Sequence, residues 1–197
     1  MLAYAGLARL GRLEAVSEVI DTAIMAPAAG QGALAVEVRT SSLDDPVLAR
    51  ALHDLDHEPT RLAVLAERAL LGRLEAGCAA PVGAHAVVED GDVALTAVVA
   101  RVDGAEQLTH SARAALPPST GSLAAAATAR DDVARGLGAR VADALLADGA
   151  ARLAPLRETG AGTPVLDAPA AEAPATDRAV EAAREQLRDG GCRGAAE

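Results

Sequence analysis

Two Asp-Gly pairs, Asp90-Gly91 and Asp103-Gly104, set the fold of this chain. Asp-Gly between alternating apolar segments is a strong hairpin signal, because a tight hairpin turn needs residues that tolerate positive φ. Around these pairs the sequence alternates with period two, which predicts strands over 82–89, 92–102 and 106–114. Leu116-Pro117-Pro118 closes the last one. On both sides the period returns to 3.6. Before the strands, Leu62, Leu65, Ala66, Ala69, Leu70 and Leu74 share one face of a helix predicted over 58–76. After them, Leu137, Val141, Leu145 and Leu146 mark a helix over 124–147, with Gly149 as its stop. Helix, three-stranded antiparallel meander and helix make a small α+β unit over 56–156.

The residues before this unit read differently. Met1 to Leu7 enters a helical pattern without a capping residue, as a chain cut inside a domain would. The pattern predicts a helix over 7–20, a loop over 27–32 and a strand over 33–39. Asp44-Asp45-Pro46 predicts a helix start, and that helix runs to Leu55. Residues 158–176 are rich in Gly, Ala and Pro and read as a disordered linker. A short solvated helix is expected over 177–188. Cys192, among glycines, reads as an incidental exposed thiol.

Aromatic residues are nearly absent, with one Tyr and no Phe or Trp, so any core must be built from small aliphatic side chains. All 18 basic residues are arginine, a bias that fits GC-rich coding. The net charge is −10, which argues against a nucleic-acid surface. Residues 158–197 hold 4 arginines against 8 acids, so the tail is disproportionately acidic. Two distant cysteines, Cys78 and Cys192, make no disulfide framework and suit a reducing cytoplasm. No apolar run approaches membrane-spanning length, so no membrane is expected as a partner.

Cys78 lies in Glu75-Ala76-Gly77-Cys78-Ala79-Ala80-Pro81. A thiol beyond a helix end, with Gly before it and Pro after it, is placed for covalent chemistry. Spacing alone favours the other reading, a small buried hydrophobe. The motifs before it separate these readings. Leu2-Ala3-Tyr4-Ala5-Gly6-Leu7-Ala8-Arg9-Leu10-Gly11 comes first, then Pro27 through Arg39 with its Gly30-Gln31-Gly32-Ala33 segment. His57-Glu58-Pro59-Thr60-Arg61, Ala66-Glu67-Arg68-Ala69 and Leu74-Glu75-Ala76-Gly77-Cys78 follow. In this order and spacing they closely resemble hydroxymethylbilane synthase, also called porphobilinogen deaminase, over about residues 2–156.

The resemblance implies the following. The fold would be that family's α+β C-terminal domain, preceded by a fragment of an α/β periplasmic-binding-protein-like domain. Residues 1–28 would end domain 2, 29–55 would cross to domain 1, and 56–156 would form the cofactor-attachment domain, with 157–197 a disordered acidic tail. Cys78 would carry a dipyrromethane cofactor through a thioether. The substrate would be porphobilinogen, a pyrrole with two carboxylate arms and an aminomethyl group. Loss of ammonia makes its methylene electrophilic, and four units join stepwise into hydroxymethylbilane. Arg9 matches an arginine that binds pyrrole carboxylates, and Gln31 sits in a hinge beside the cleft. The family's catalytic aspartate has no match here, so the chain alone is expected to be inactive. A non-catalytic pyrrole-carboxylate binder, or a half that complements an N-terminal partner, are the rival readings.

The remaining polar residues carry less. Glu37 and Arg39 alternate with Val36 and Val38 and read as structural. His57, Glu58, Arg61, Glu67 and Arg68 cluster in sequence, but no second His or Cys completes a metal set. Glu67 and Arg68 are expected to seat their helix through polar contacts. His53, His85 and His110 show no partnering pattern.

Overall fold

The computed structural model describes residues 2–77, 80–118, 123–154 and 156. By contact, the chain divides into a unit over Met1–Thr159 and a unit over Gly160–Glu197. The second lies outside the described residues, and with it the linker, the 177–188 helix and Cys192.

The meander forms as the alternation predicts. Strands β1 (Val82–Glu89), β2 (Asp92–Ala100) and β3 (Gln107–Ala115) pair antiparallel in the order β1-β2-β3. Asp90 at φ 52° and Gly91 at φ 83° make the first turn, both left-handed, so that Glu89 faces Asp92 across the hairpin. A β-branched residue at either position would be strained. The second connection is longer. β2 stops at Ala100, two residues short of expectation, because Arg101 leaves the ladder. The Arg101 side chain binds both oxygens of Asp103, and its N–H donates to the Glu106 carbonyl at 2.8 Å.

The pleat sends Val93, Leu95, Ala97 and Val99 of β2 and Ala84 and Ala86 of β1 to one face, all buried. The opposite face carries Thr96 and Ser111, whose hydroxyls meet at 2.9 Å in solvent. Two helices cover the buried face: α3 (Glu58–Leu74) and α4 (Leu123–Ala147). α3 contributes Leu62, Ala66, Leu70 and Leu74, and α4 contributes Ala134, Leu137, Val141, Ala142 and Leu145. With no aromatics available, packing relies on close backbone approach. Gly138 of α4 lies against the Ala66 carbonyl, and a Cβ there would also come within 2.9 Å of the Leu70 nitrogen. α3 ends at Leu74 because Glu75 turns left-handed at φ 53°. Gly149, at φ 98°, ends α4 and opens the one-turn helix α5 (Ala150–Leu153).

Residues 2–55 depart from expectation in two places. The helix expected over 7–20 is a six-residue α1 (Tyr4–Arg9), then Gly11 at φ 65° and a 3-10 turn over Leu13–Ala15. Gly11 breaks the helix, and the β-branched Val16, Val19 and Ile20 beyond it favour helix poorly without packing. The strand expected over 33–39 does not form. A strand exists by pairing, and this segment pairs with nothing among the described residues; Leu34 is 97% exposed. The capped helix α2 (Pro46–Leu55) forms as predicted. Asp45 accepts from the Val47 N–H at 2.9 Å, and Pro46 occupies the first turn. No helix among the described residues is long and apolar enough to cross a membrane.

Candidate functional site

The backbone leading to Cys78 is held firmly, while Cys78 and Ala79 lie outside the described residues. Past the left-handed Glu75, the Ala76 N–H returns to the Leu71 carbonyl at 3.1 Å. On the far side, the Ala80 N–H bonds to the Gly77 carbonyl at 3.0 Å, and Pro81 precedes β1. In sequence, Cys78 falls between the C-terminal end of α3 and the start of β1.

Glu75 and Ala76 also line an open groove of about 1330 Å³. Its floor is the side of α3, including Val64, Arg68 and Leu71; its other wall is the loop 29–36, with Gly30 and Gly32. Both glycines are left-handed, at φ 75° and 87°. The loop is fastened to the α+β unit at three points. The Ala84 N–H donates to the Pro27 carbonyl at 2.8 Å. Gly83 leaves no room beside Ala26, whose Cβ would be 2.7 Å from an added methyl. Glu67, only 6% exposed, accepts from the Gly30 N–H at 2.6 Å through one oxygen and from the Ala86 N–H at 2.8 Å through the other.

The groove's cations fall into two sets. Arg61 is committed to structure: it binds Asp56 at 2.9 Å, Asp131 of α4 through a short contact, and lies near Glu58. Burial alone would lower its pKa, but the hydrogen bond to Asp56 and the charge of Asp131 outweigh burial and raise it. Arg130 completes this network by binding Glu58 at 2.9 Å and the Pro117 carbonyl. Arg68 and Arg135, by contrast, are exposed and have no partner among the described residues. Each offers a free guanidinium fork, which suits carboxylates.

The sequence candidates distribute unevenly. Gln31 is exposed between the two groove glycines without itself lining the groove, its N–H bonded to the Ala28 carbonyl at 3.0 Å. Arg9 is exposed at the last turn of α1 and does not line the groove. His57 stands at the N-cap position of α3 without a side-chain capping bond, its ring 2.8 Å from the Thr60 hydroxyl. Glu67 seats α3 as expected, whereas Arg68 makes no seating contact and faces the groove. Among the described residues no three His, Cys, Asp or Glu side chains gather as a metal site. Arg135 was invisible to sequence reading, because only the packing of α4 on α3 brings it to the groove.

A dipyrromethane presents acidic arms and flat apolar rings. The groove's volume exceeds that of ordinary small-ligand pockets, two free guanidiniums reach it, and Val64 and Leu71 provide apolar surface. The described residues thus fit such a group in size and charge.

Residues 61–147 match the family model described as porphobilinogen deaminase, C-terminal domain, and residues 1–46 match the one described as porphobilinogen deaminase, dipyromethane cofactor binding domain. Together the two matches cover more than half of the chain. The chain belongs to the porphobilinogen deaminase family. It is 52% identical to a porphobilinogen deaminase of Leifsonia xyli over 158 residues, covering 80% of this chain and 46% of that protein. A porphobilinogen deaminase of Cutibacterium acnes is 44% identical over 167 residues, 81% of this chain and 48% of its own length. The chain therefore spans about half the length of the porphobilinogen deaminases it matches.

Proposed function

We propose that this chain forms the cofactor-bearing part of a hydroxymethylbilane synthase, which joins four porphobilinogen units with release of ammonia. In this reading residues 1–28 end domain 2, 29–55 cross to domain 1 in an α/β periplasmic-binding-protein-like arrangement, and 56–156 carry the cofactor. Cys78 holds a dipyrromethane through a thioether bond. That group would supply a tethered primer, so each addition becomes an intramolecular event. Arg9 and Gln31, which lie outside the groove lining, bind pyrrole carboxylates, and Arg68 and Arg135 supply positive charge within the groove. The single observation that carries the reading is the groove itself. Gly30, Gly32, Arg68 and Ala76 line it together, Ala76 standing two residues before Cys78 in sequence, and the family matches cover both walls.

By this reading the chain is not a working deaminase on its own. No aspartate in it matches the family's acid–base motif, and losing such a group costs about 10²–10⁴ in rate. The test is to incubate purified chain with porphobilinogen, following uroporphyrin absorbance and the intact mass. A dipyrromethane adduct on Cys78 without turnover supports the reading; robust turnover by the chain alone overturns the inactivity. Calorimetric binding with neither adduct nor turnover favours a non-catalytic pyrrole-carboxylate binder instead.

A complementing half is a second reading, and a specific observation favours it. Of the large hydrophobic side chains exposed among the described residues, all but Val102 lie between Leu2 and Leu55. Exposed apolar surface on that scale marks an interaction site. Co-expression with the N-terminal half of the Leifsonia xyli relative should yield a stable complex. Failure of the two to co-purify would remove this reading.

A further inference from the structure

We propose that Glu67 is a positioning residue that holds the Gly30-Gln31-Gly32 loop at the mouth of the groove, so that ligand contact by Gln31 depends on it. The geometry is that of a two-armed clamp. A carboxylate has two oxygens and no proton to donate, so it can accept from two backbone N–H groups at once. Glu67 does this with one arm inside its own unit, to Ala86 of β1 at 2.8 Å, and one arm outward, to Gly30 at 2.6 Å. Glu67 is 6% exposed, with the Ala86 bond buried and the Gly30 bond partly buried, and a carboxylate accepting from N–H makes the charge-assisted kind of bond.

The outward arm answers a need the loop creates. Gly30 and Gly32 both sit at positive φ, where glycine has the most conformational freedom to lose. Neither would meet atoms closer than about 4.0 Å if it carried a Cβ, so packing, which holds Ala29 against the core, does not reach these two glycines. The fastenings upstream, at Ala26 and Pro27, stop short of Gln31. The bond from Gly30 to Glu67 is the one that reaches the residue next to Gln31. A carboxylate that merely seated α3 on the sheet would need only the Ala86 arm.

This rests on the reading of Gln31 as a ligand contact, and the experiment separates the two. Hydrogen exchange on the unmodified full chain compares Gly30 with Gly32. Gly30 should be protected at least tenfold over Gly32, the factor of one charge-assisted hydrogen bond. Equal exchange at the two glycines overturns the clamp without any variant. In E67Q, one amide oxygen cannot replace two, and the amide NH₂ opposes an N–H donor. Exchange at Gly30 should rise about tenfold toward that of Gly32, while Leu137 and Val141 in α4 stay protected. Loss of protection in loop and α4 together, or at Ala86 alone, overturns positioning in favour of a purely structural role. Calorimetric titration with porphobilinogen then tests the coupling. E67Q and Q31A should each weaken binding, and E67Q/Q31A should be no weaker than either alone. Additive losses overturn the proposal. If the unmodified chain does not bind porphobilinogen, the ligand role of Gln31 falls, and the exchange result alone upholds or overturns the clamp.

Discussion

Residues 2–55 and residues 56–156 of this chain have similar apolar content on paper and opposite fates in space. The second region buries its leucines and valines between a sheet and two helices. In the first, no residue of α1 or α2 is buried, and Leu2, Leu10, Ile24, Leu34 and Val47 stand in solvent. The difference is not one of local propensity, since α2 has a proper Asp cap and a proline start. It is one of partners. An amphipathic element needs a second apolar face to cover it. The α+β unit contains its own, whereas the first region meets that unit mainly through the fastened loop 26–30.

The largest effects should separate the regions most cleanly. Leu70→Ala or Leu137→Ala removes a fully buried side chain and should cost about 2–5 kcal/mol in denaturant unfolding of the full chain. Leu34→Ala, at a position 97% exposed, should change it by less than about 0.5 kcal/mol. Comparable losses at the two sites would erase the distinction. Gly138→Ala is next. Alanine favours helix over glycine by about 1 kcal/mol, but here its methyl meets the Ala66 carbonyl. Overpacking of roughly 1–3 kcal/mol should win, giving a lower melting temperature. A rise would mean that α3 and α4 separate without penalty.

Smaller effects test whether the first region folds independently. Asp45→Ala should cost α2 about 1 kcal/mol, seen as faster exchange within α2 and no change in unfolding of the α+β unit. A shift in that unit's unfolding would show that the regions are coupled. Asp103 gives the smallest effect. Its hydrogen bond to Arg101 holds the carboxyl below the usual range. A depressed carboxyl stabilises above its unfolded pKa and loses that contribution as pH falls through the folded value. At this exposed site the carboxyl resonance should titrate at lower pH than free aspartate, with little change in stability. Arg101→Gln should bring the midpoint back up.

How legible the fold was depended on whether a signal is carried by neighbours in sequence. Asp90-Gly91 specified its turn because φ at two adjacent residues is a local matter. The helix over 58–74 was legible from the spacing of Leu62, Ala66, Leu70 and Leu74. The segments 7–20 and 33–39 depart from their periodicity because that pattern implies burial that no described residue provides. At the site, Cys78, Arg9 and Gln31 were named from motif resemblance. The seating of α3 by Glu67 was legible, but its bond to Gly30 and the place of Arg135 were not, since a clamp to that loop and a groove shared by α3 and α4 join residues far apart in the chain.

The sequence by itself determined the meander, its first turn, the helices flanking it and the family. Each follows from periods, caps and motifs that act within a few residues. Only the tertiary structure decided which arginines are spoken for and which stand free, and where the Gly30-Gln31-Gly32 loop is pinned. Those outcomes depend on distances between elements, and a carboxylate or guanidinium takes its role from whichever group packing brings within about 3 Å.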